Sequence, residues 1–333
     1  MTDILTQTKC FCNVVAMEKG IDPVGSAGNF QDAVIIEHPL PWKYSYAEMS
    51  LPLEVLNLLD LWLKRYHETG VYGHRPLLIA PDTCYSKEGF RRVIFYSKPE
   101  GLFAQFEKAE YLVPVEKMGG LIWSWYEASD NLSHYEDYRQ PEDNLTRDIL
   151  VCTHGAVDVA CAKFGYPLYK HLRDNVATDT VRIWRVSHFG GHLYAPTLMD
   201  MPKGDYWAYV DNNIGEQIIQ HEGDIQDLYH YYRGWSGLEM GFMQALERIC
   251  LMRKGWSWQT YPKRGEILAI DDCDEPQWAD VRLSYITPNN ILHSYQAHVQ
   301  IKQVIMSNPS SNDERQYPYP QYIVNEIVSL TCT

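Results

Sequence analysis

The sequence contains no C-x2–4-C knuckle, the short spacing that holds both thiols of a zinc finger on one tight turn. No apolar run approaches the ~20 residues of a membrane span, and the opening Met1-Thr-Asp-Ile-Leu-Thr-Gln-Thr-Lys9 lacks the apolar core of a secretory signal. Positive charge is scarce. Lysine and arginine number 29 against 43 acids, a net charge of -14, which argues against nucleic acid as a partner. The same balance favours solubility and a partner with a basic docking surface, steered by complementary charge. There is no internal repeat and no low-complexity tract. The eight cysteines lie at irregular spacings in a long chain rather than in a small secreted scaffold, so they are read as reduced and the chain as cytoplasmic.

What is present is a globular composition, 45% hydrophobic with 13% aromatic residues, enough for a sizeable core. At 333 residues the chain exceeds one ordinary domain. Asp32-Ala-Val-Ile-Ile-Glu37 reads as a strand, residues 51–66 as an amphipathic helix, and Pro76-Leu-Leu-Ile-Ala80 and Arg92-Val-Ile-Phe-Tyr96 as further strands. Strands alternating with helix predict an N-terminal α/β domain over residues 1–144, ending in a polar linker at 128–144. A second α/β domain is expected at 145–255, closing on a helix over 237–253 with Met240, Phe242, Met243, Leu246 and Ile249 at helical spacing. Residues 256–333 hold four alternating runs, at 266–270, 280–286, 294–302 and 321–327. They are expected to form a C-terminal antiparallel β extension with a turn at 309–313.

The chemistry-bearing residues gather in the second domain. Cys152-Thr-His-Gly-Ala-Val-Asp-Val-Ala-Cys161 is a C-x8-C loop, and Ser187-His188-Phe-Gly-Gly-His192 supplies H-x3-H. Two thiols and two imidazoles make a four-ligand set that suits zinc or an iron–sulfur cluster with mixed ligation. The eight-residue gap is wide enough to encircle a group larger than one ion. Asp148-Ile-Leu-Val-Cys152 reads as a buried strand ending on the first thiol. Residues 162–173 read as a helix with Phe164, Leu168 and Leu172 on one face, beginning or kinking at Pro167. Arg182-Ile-Trp-Arg-Val-Ser187 reads as a second strand, with His188 directly after it. A βαβ crossover of this kind brings both ligand loops to one edge of a parallel sheet. Gly190 and Gly191 oppose a helical H-x3-H zinc pair and favour close backbone approach to something bulky. Phe189 stands where H-E-x-x-H needs its glutamate, which excludes that metalloprotease motif.

With these residues the chain resembles the sucrase/ferredoxin-like family. The resemblance runs from Cys10 through Glu37-His-Pro-Leu-Pro-Trp42 to near the end. It is strongest from Cys152-Thr-His-Gly to Tyr169 and in His188-Phe-Gly-Gly-His192, and continues to Arg233-Gly-Trp-Ser-Gly237. It implies two thioredoxin-like α/β domains, the second carrying a 2Fe-2S cluster as in the His-containing branch of thioredoxin-like ferredoxins. Carried over residue by residue, Cys152 and Cys161 would ligate one iron, and His188 and His192 the other. The implied function is electron transfer without enzymatic turnover, proton-coupled through the outer imidazole nitrogens, with a redox partner protein. A structural Cys2His2 zinc protein is the alternative on the same four residues. A sugar hydrolase, hinted at only by the family label, is weaker, because the acids at 271–272 and 222–227 read as solvated loops.

Around the four ligands, His154 and Asp158 are expected to shape the loop or hydrogen-bond near the cluster sulfurs, with Gly190 and Gly191 making room beside the histidines. Arg185 and Lys163 read as solvated charge, and Cys10 and Cys12 as ordinary thiols. Cys84, Cys250, Cys273 and Cys332 show no partner pattern. The aromatic runs at 123–126 and 229–235 read as packing.

Overall fold

The computed structural model describes residues 11–69, 73–141 and 146–331 of the chain. Helix α1 (Cys12–Glu18) is followed by β1 (Asp32–Glu37), α2 (Leu53–Thr69), β2 (His74–Ile79), β3 (Phe90–Ser97), β4 (Glu107–Pro114) and α3 (Met118–Glu127). Then come β5 (Arg147–Cys152), α4 (Val159–Asn175), β6 (Val181–Val186), β7 (Leu198–Met201), β8 (Asp205–Trp207), α5 (Asn212–Gln220), β9 (Tyr232–Trp235) and α6 (Gly241–Lys254). The chain closes with β10 (Lys263–Ile270), β11 (Trp278–Ile286), β12 (Leu292–Ser307) and β13 (Tyr317–Thr331). Among the described residues, nine strands share one mixed sheet in the order β4-β3-β1-β2-β6-β5-β7-β8-β9, and β10–β13 form a separate four-stranded sheet.

One topological unit is built twice in the large sheet. Strands β1 and β2 run parallel across helix α2, β3 returns antiparallel to β1, and β4 to β3. Strands β5 and β6 run parallel across α4, β7 returns antiparallel to β5, and β8 to β7. The units meet through their second strands, antiparallel at Ile79 and Val186. Backbone hydrogen bonds repeat around that pair. Ser187 N–H donates to the Leu78 carbonyl and Ala80 N–H to the Arg185 carbonyl, while His38 N–H donates to Ile79 and Thr153 N–H to Val186. Glu37 stands opposite Ile79 in the first unit where Cys152 stands opposite Val186 in the second.

Alternation in the first unit explains why its strands are apolar on both faces. Val34, Ile36, Leu78, Val93 and Phe95 face Val55, Leu58 and Trp62 of α2 and Leu121 and Ile122 of α3. Their neighbours Ala33, Ile35, Leu77, Ile79, Ile94 and Tyr96 join a larger core with Ile149, Leu150 and Val151 of β5 and Leu168 and Leu172 of α4. Each fully buried aliphatic or aromatic side chain contributes about 1.5–3 kcal/mol, so the two units are tied by a shared interior as well as by β2 and β6. Helix α6 packs on β9 and on the second sheet, where Ala279, Val281, Leu283 and Tyr285 of β11 are buried.

Two details differ from expectation. Helix α4 does not begin at Pro167. It starts at Val159, where Asp158 accepts the Ala160 N–H at 2.8 Å as its cap, and runs through the proline. Pro167 and Lys163 are both exposed, so the carbonyl that loses its donor lies where water can replace it. The expected linker is, over most of its length, a 3-10 helix (Ser129–Tyr138) with Leu132, Tyr135 and Tyr138 packed on the first unit's core. Their three-residue spacing is the 3-10 period. The expected boundary at 144/145 lies outside the described residues. No helix among the described residues is long and apolar enough to cross a membrane.

Candidate metal centre

Cys152 ends β5, and Cys161 is the third residue of α4. Helix and strand approach so closely that a Cβ on Gly165 would run into the Cys152 carbonyl oxygen. That contact fixes the two thiols relative to each other. His188 follows β6 by one residue, so the crossover does bring both loops to one sheet edge. Nδ1 of His188 lies 3.8 Å from each cysteine sulfur, and the ligand atoms of Cys152, Cys161 and His188 all fall within 4.8 Å of one another. His192 is outside that tight group, its ring centroid 5.1 Å from that of His188. Both sulfurs are buried, while both imidazoles are half-exposed.

The electrostatics suit ligation. The hydrogen bond from Cys161 outweighs burial and, with the His188 imidazole, holds the Cys152 thiol well below the usual range. The same shared proton and burial push Cys161 up. A pair that gives up one proton readily, with one member in the first turn of a helix, is a competent soft-metal ligand.

His192 carries the most telling geometry. Its Nε2 donates to the Pro309 carbonyl at the tip of the β12–β13 hairpin, while its Nδ1 is buried with no hydrogen-bond partner. A ring whose outer nitrogen holds its proton against a carbonyl presents a lone pair on the inner one, as metal-bound histidines do. Burial, then the neighbouring His188, push this imidazole below its ordinary pKa and favour the neutral ligand form.

His154 is buried, and both of its ring nitrogens are committed. Nδ1 accepts the His188 N–H at 3.2 Å, and Nε2 donates to the Lys43 carbonyl at 2.9 Å. Trp42 stands edge-on to the ring at 5.6 Å. His154 therefore braces the His188 backbone against the 38–43 loop of the first unit. Asp158 faces the hairpin rather than the sulfurs of Cys152 and Cys161. It accepts from Ser311 N–H at 2.8 Å and from Ser311 Oγ at 2.6 Å. Burial would raise its carboxyl, but the Ser311 bonds win and hold it low.

Gly190 and Gly191 adopt φ of +99° and +80°. The room at Gly191 serves an arginine, since a Cβ there would meet Arg233 Nη2 at 2.6 Å. Cys12 is a buried thiol raised to about 11 by burial, and Cys10 lies outside the described residues. Arg185 stacks on Tyr166 at 4.9 Å, and Lys163 is exposed. Pro309 and Ser311 lie in the turn expected at 309–313, with nothing in it to link them to the donors, and Lys43 carried no local sequence signal. Arg233 stood in a run singled out above without a role.

The sucrase/ferredoxin-like family profile matches residues 23–234, from the coil before β1 into β9. Altered inheritance of mitochondria protein 32 of Meyerozyma guilliermondii is 29% identical over 143 residues, 37% of this chain and 49% of that protein. The chain thus spans about half the length of this curated relative. No solved structure matches. With the profile covering both α/β units and every donor described above, the chain belongs to the sucrase/ferredoxin-like family.

Proposed function

We propose that the chain is an electron-transfer protein holding one 2Fe-2S cluster through Cys152, Cys161, His188 and His192. The observation that carries this reading is the buried, unpartnered Nδ1 of His192 beside a thiol pair that already faces His188. The twice-built unit, with its strand order fourth-third-first-second, supports the thioredoxin-like part of the family resemblance. When bound, the cluster supplies one-electron chemistry. The chain binds it through the thiols and imidazoles, orients His192 through Pro309, steadies His188 through His154, and clamps the first turn of α4 through Asp158 and Ser311. The buried sulfurs and half-exposed imidazoles make the histidine side the route for electrons to a partner, and the net charge of -14 favours a basic docking surface on it. Six free thiols among the described residues accord with a reducing compartment, the cytoplasm.

Proton exchange with solvent falls to His188, because the outer nitrogen of His192 is held by Pro309. A cluster held there would take up a proton at the outer nitrogen of His188 as it gains an electron, so its potential should fall as pH rises. Anaerobic purification tests the whole reading. About two irons and two labile sulfides per chain are expected, with a red-brown spectrum. A colourless, zinc-loaded protein would leave the same ligands with a structural role. His188→Cys should keep a cluster, lower its potential by adding a negative ligand, and flatten the pH dependence. An unchanged potential would remove His188 from the ligand set.

A further inference from the structure

A cavity of about 300 Å³ opens beside the H-x3-H loop, where β2, β9, β13 and the coil before β1 converge. Two guanidiniums line it, Arg75 and Arg233. Among the described residues, neither lies within ion-pair distance of a carboxylate. In a chain with 43 acids against 29 bases, two neighbouring cations left without a counter-charge need a reason.

Arg233 is 2% exposed. Its Nε donates to Ser26 Oγ at 3.1 Å, Nη2 to the Ser26 carbonyl at 2.6 Å and Nη1 to the Gly190 carbonyl at 3.1 Å. These neutral acceptors use part of a five-proton fork, and a buried cation that meets only neutral groups is held at a cost. Burial depresses its basicity, and the Arg75 charge pushes the same way. Arg75 is half-buried and lies against Gly28, where a Cβ would come within 2.5 Å of Nη2. Beside it stands the hydroxyl of Tyr206, buried and without a well-formed hydrogen bond. Tyr194 and Tyr322 supply aromatic walls. Two cationic forks, the Tyr206 hydroxyl beside Arg75 and glycines that admit close approach are the parts of an oxyanion site.

We propose that this cavity binds a small oxyanion, the carboxylate or phosphate group of a small molecule, clamped between Arg75 and Arg233. The site adjoins the proposed metal centre through Gly190 and Gly191, and its test reads binding rather than redox activity.

The purified chain, with its metal content as isolated and again after chelation, is titrated at low ionic strength with inorganic phosphate and separately with benzoate. Calorimetry and the thermal midpoint are the readouts, with chloride as control. One of the two probes should bind saturably and raise the midpoint by ligand linkage. Phosphate alone would identify the phosphate class, and benzoate alone the carboxylate class. Arg75→Gln should weaken that binding about tenfold or more, and Gly28→Ala, which displaces the Arg75 fork without removing it, should weaken it less. If Arg75→Gln fails to fold, Gly28→Ala decides. Absence of saturable binding of either probe by the wild-type chain overturns the proposal. So does binding by both variants as tight as that of the wild-type chain. A shifted reduction potential in Arg75→Gln with no anion binding would assign the arginines to charge balance at the metal centre instead.

Discussion

At the end of β5 stands Cys152, opposite Val186; at the end of β1, in the same register opposite Ile79, stands Glu37. The second unit follows its strand with a short loop that delivers Cys161 in the first turn of α4, and follows β6 with His188. The first unit has a long loop, residues 38–52, before α2, and Ala80-Pro81 follows β2. That long loop does other work. It reaches across the shared sheet and holds His154 through the Lys43 carbonyl. The same scaffold thus gathers donors in one half and braces them from the other. On the proposed reading, strand order alone does not make the metal site; the loop length after the first strand decides whether the helix can contribute a ligand.

The largest effect should separate the halves outright. Cys152→Ser or Cys161→Ser should abolish or nearly abolish iron binding, whereas Cys84→Ser, an exposed thiol in the loop after β2, should leave iron content unchanged. Equal losses from all three would break the comparison. Next comes Gly165→Ala. Its methyl group meets backbone rather than a flexible side chain, so α4 must shift away from β5, at about 1–3 kcal/mol or more. Denaturation midpoint and iron content should fall together; a stability loss with full iron retention would show that the α4–β5 contact does not set the thiol pair.

Glu37 provides the smaller test in the other half. It is 1% exposed, neither carboxylate oxygen has a well-formed hydrogen bond, and burial raises its carboxyl above the ordinary 4.5 despite partial offset by Ser86 and Arg92. A raised carboxyl contributes stability below its unfolded value and loses it as pH climbs through the folded one. Glu37→Gln, which does not ionise, should therefore be the more stable protein at neutral pH by about 1 kcal/mol, with the difference fading below pH 4.5. Urea melts across that range read it. A difference independent of pH would mean that Glu37 is ionised and paired.

Much of this was legible in the sequence. The β5–α4–β6 crossover showed because β5 is a continuous apolar run and α4 keeps one apolar face, and spacing singled out Cys152, Cys161 and His188, which the fold brings within 4.8 Å of one another, with His192 beside them. Strands β7, β8 and β9 are too short to display a period, and nothing in their composition replaces it. The 3-10 helix over Ser129–Tyr138 was hidden by its polar residues, although Leu132, Tyr135 and Tyr138 mark its turns. The repetition of the unit is a property of topology, and two sequences that share only apolar alternation do not reveal it. The residues that hold the donors were invisible for another reason. Lys43 lies 111 positions from His154, Pro309 lies 117 from His192, and Ser311 lies 153 from Asp158.

Those separations set an order of events during synthesis. Every proposed donor has left the ribosome well before the hairpin tip that orients His192 and clamps the cap of α4. Until β12 and β13 pair, the nascent chain lacks the contacts that orient His192 and clamp the cap of α4, and closing so long a loop costs chain entropy. Loosening the clamp by Ser311→Ala should therefore speed loss of iron to a chelator while leaving the donors untouched. On the proposed reading, a chain still being translated could sample metal, and only one with the hairpin closed could keep it.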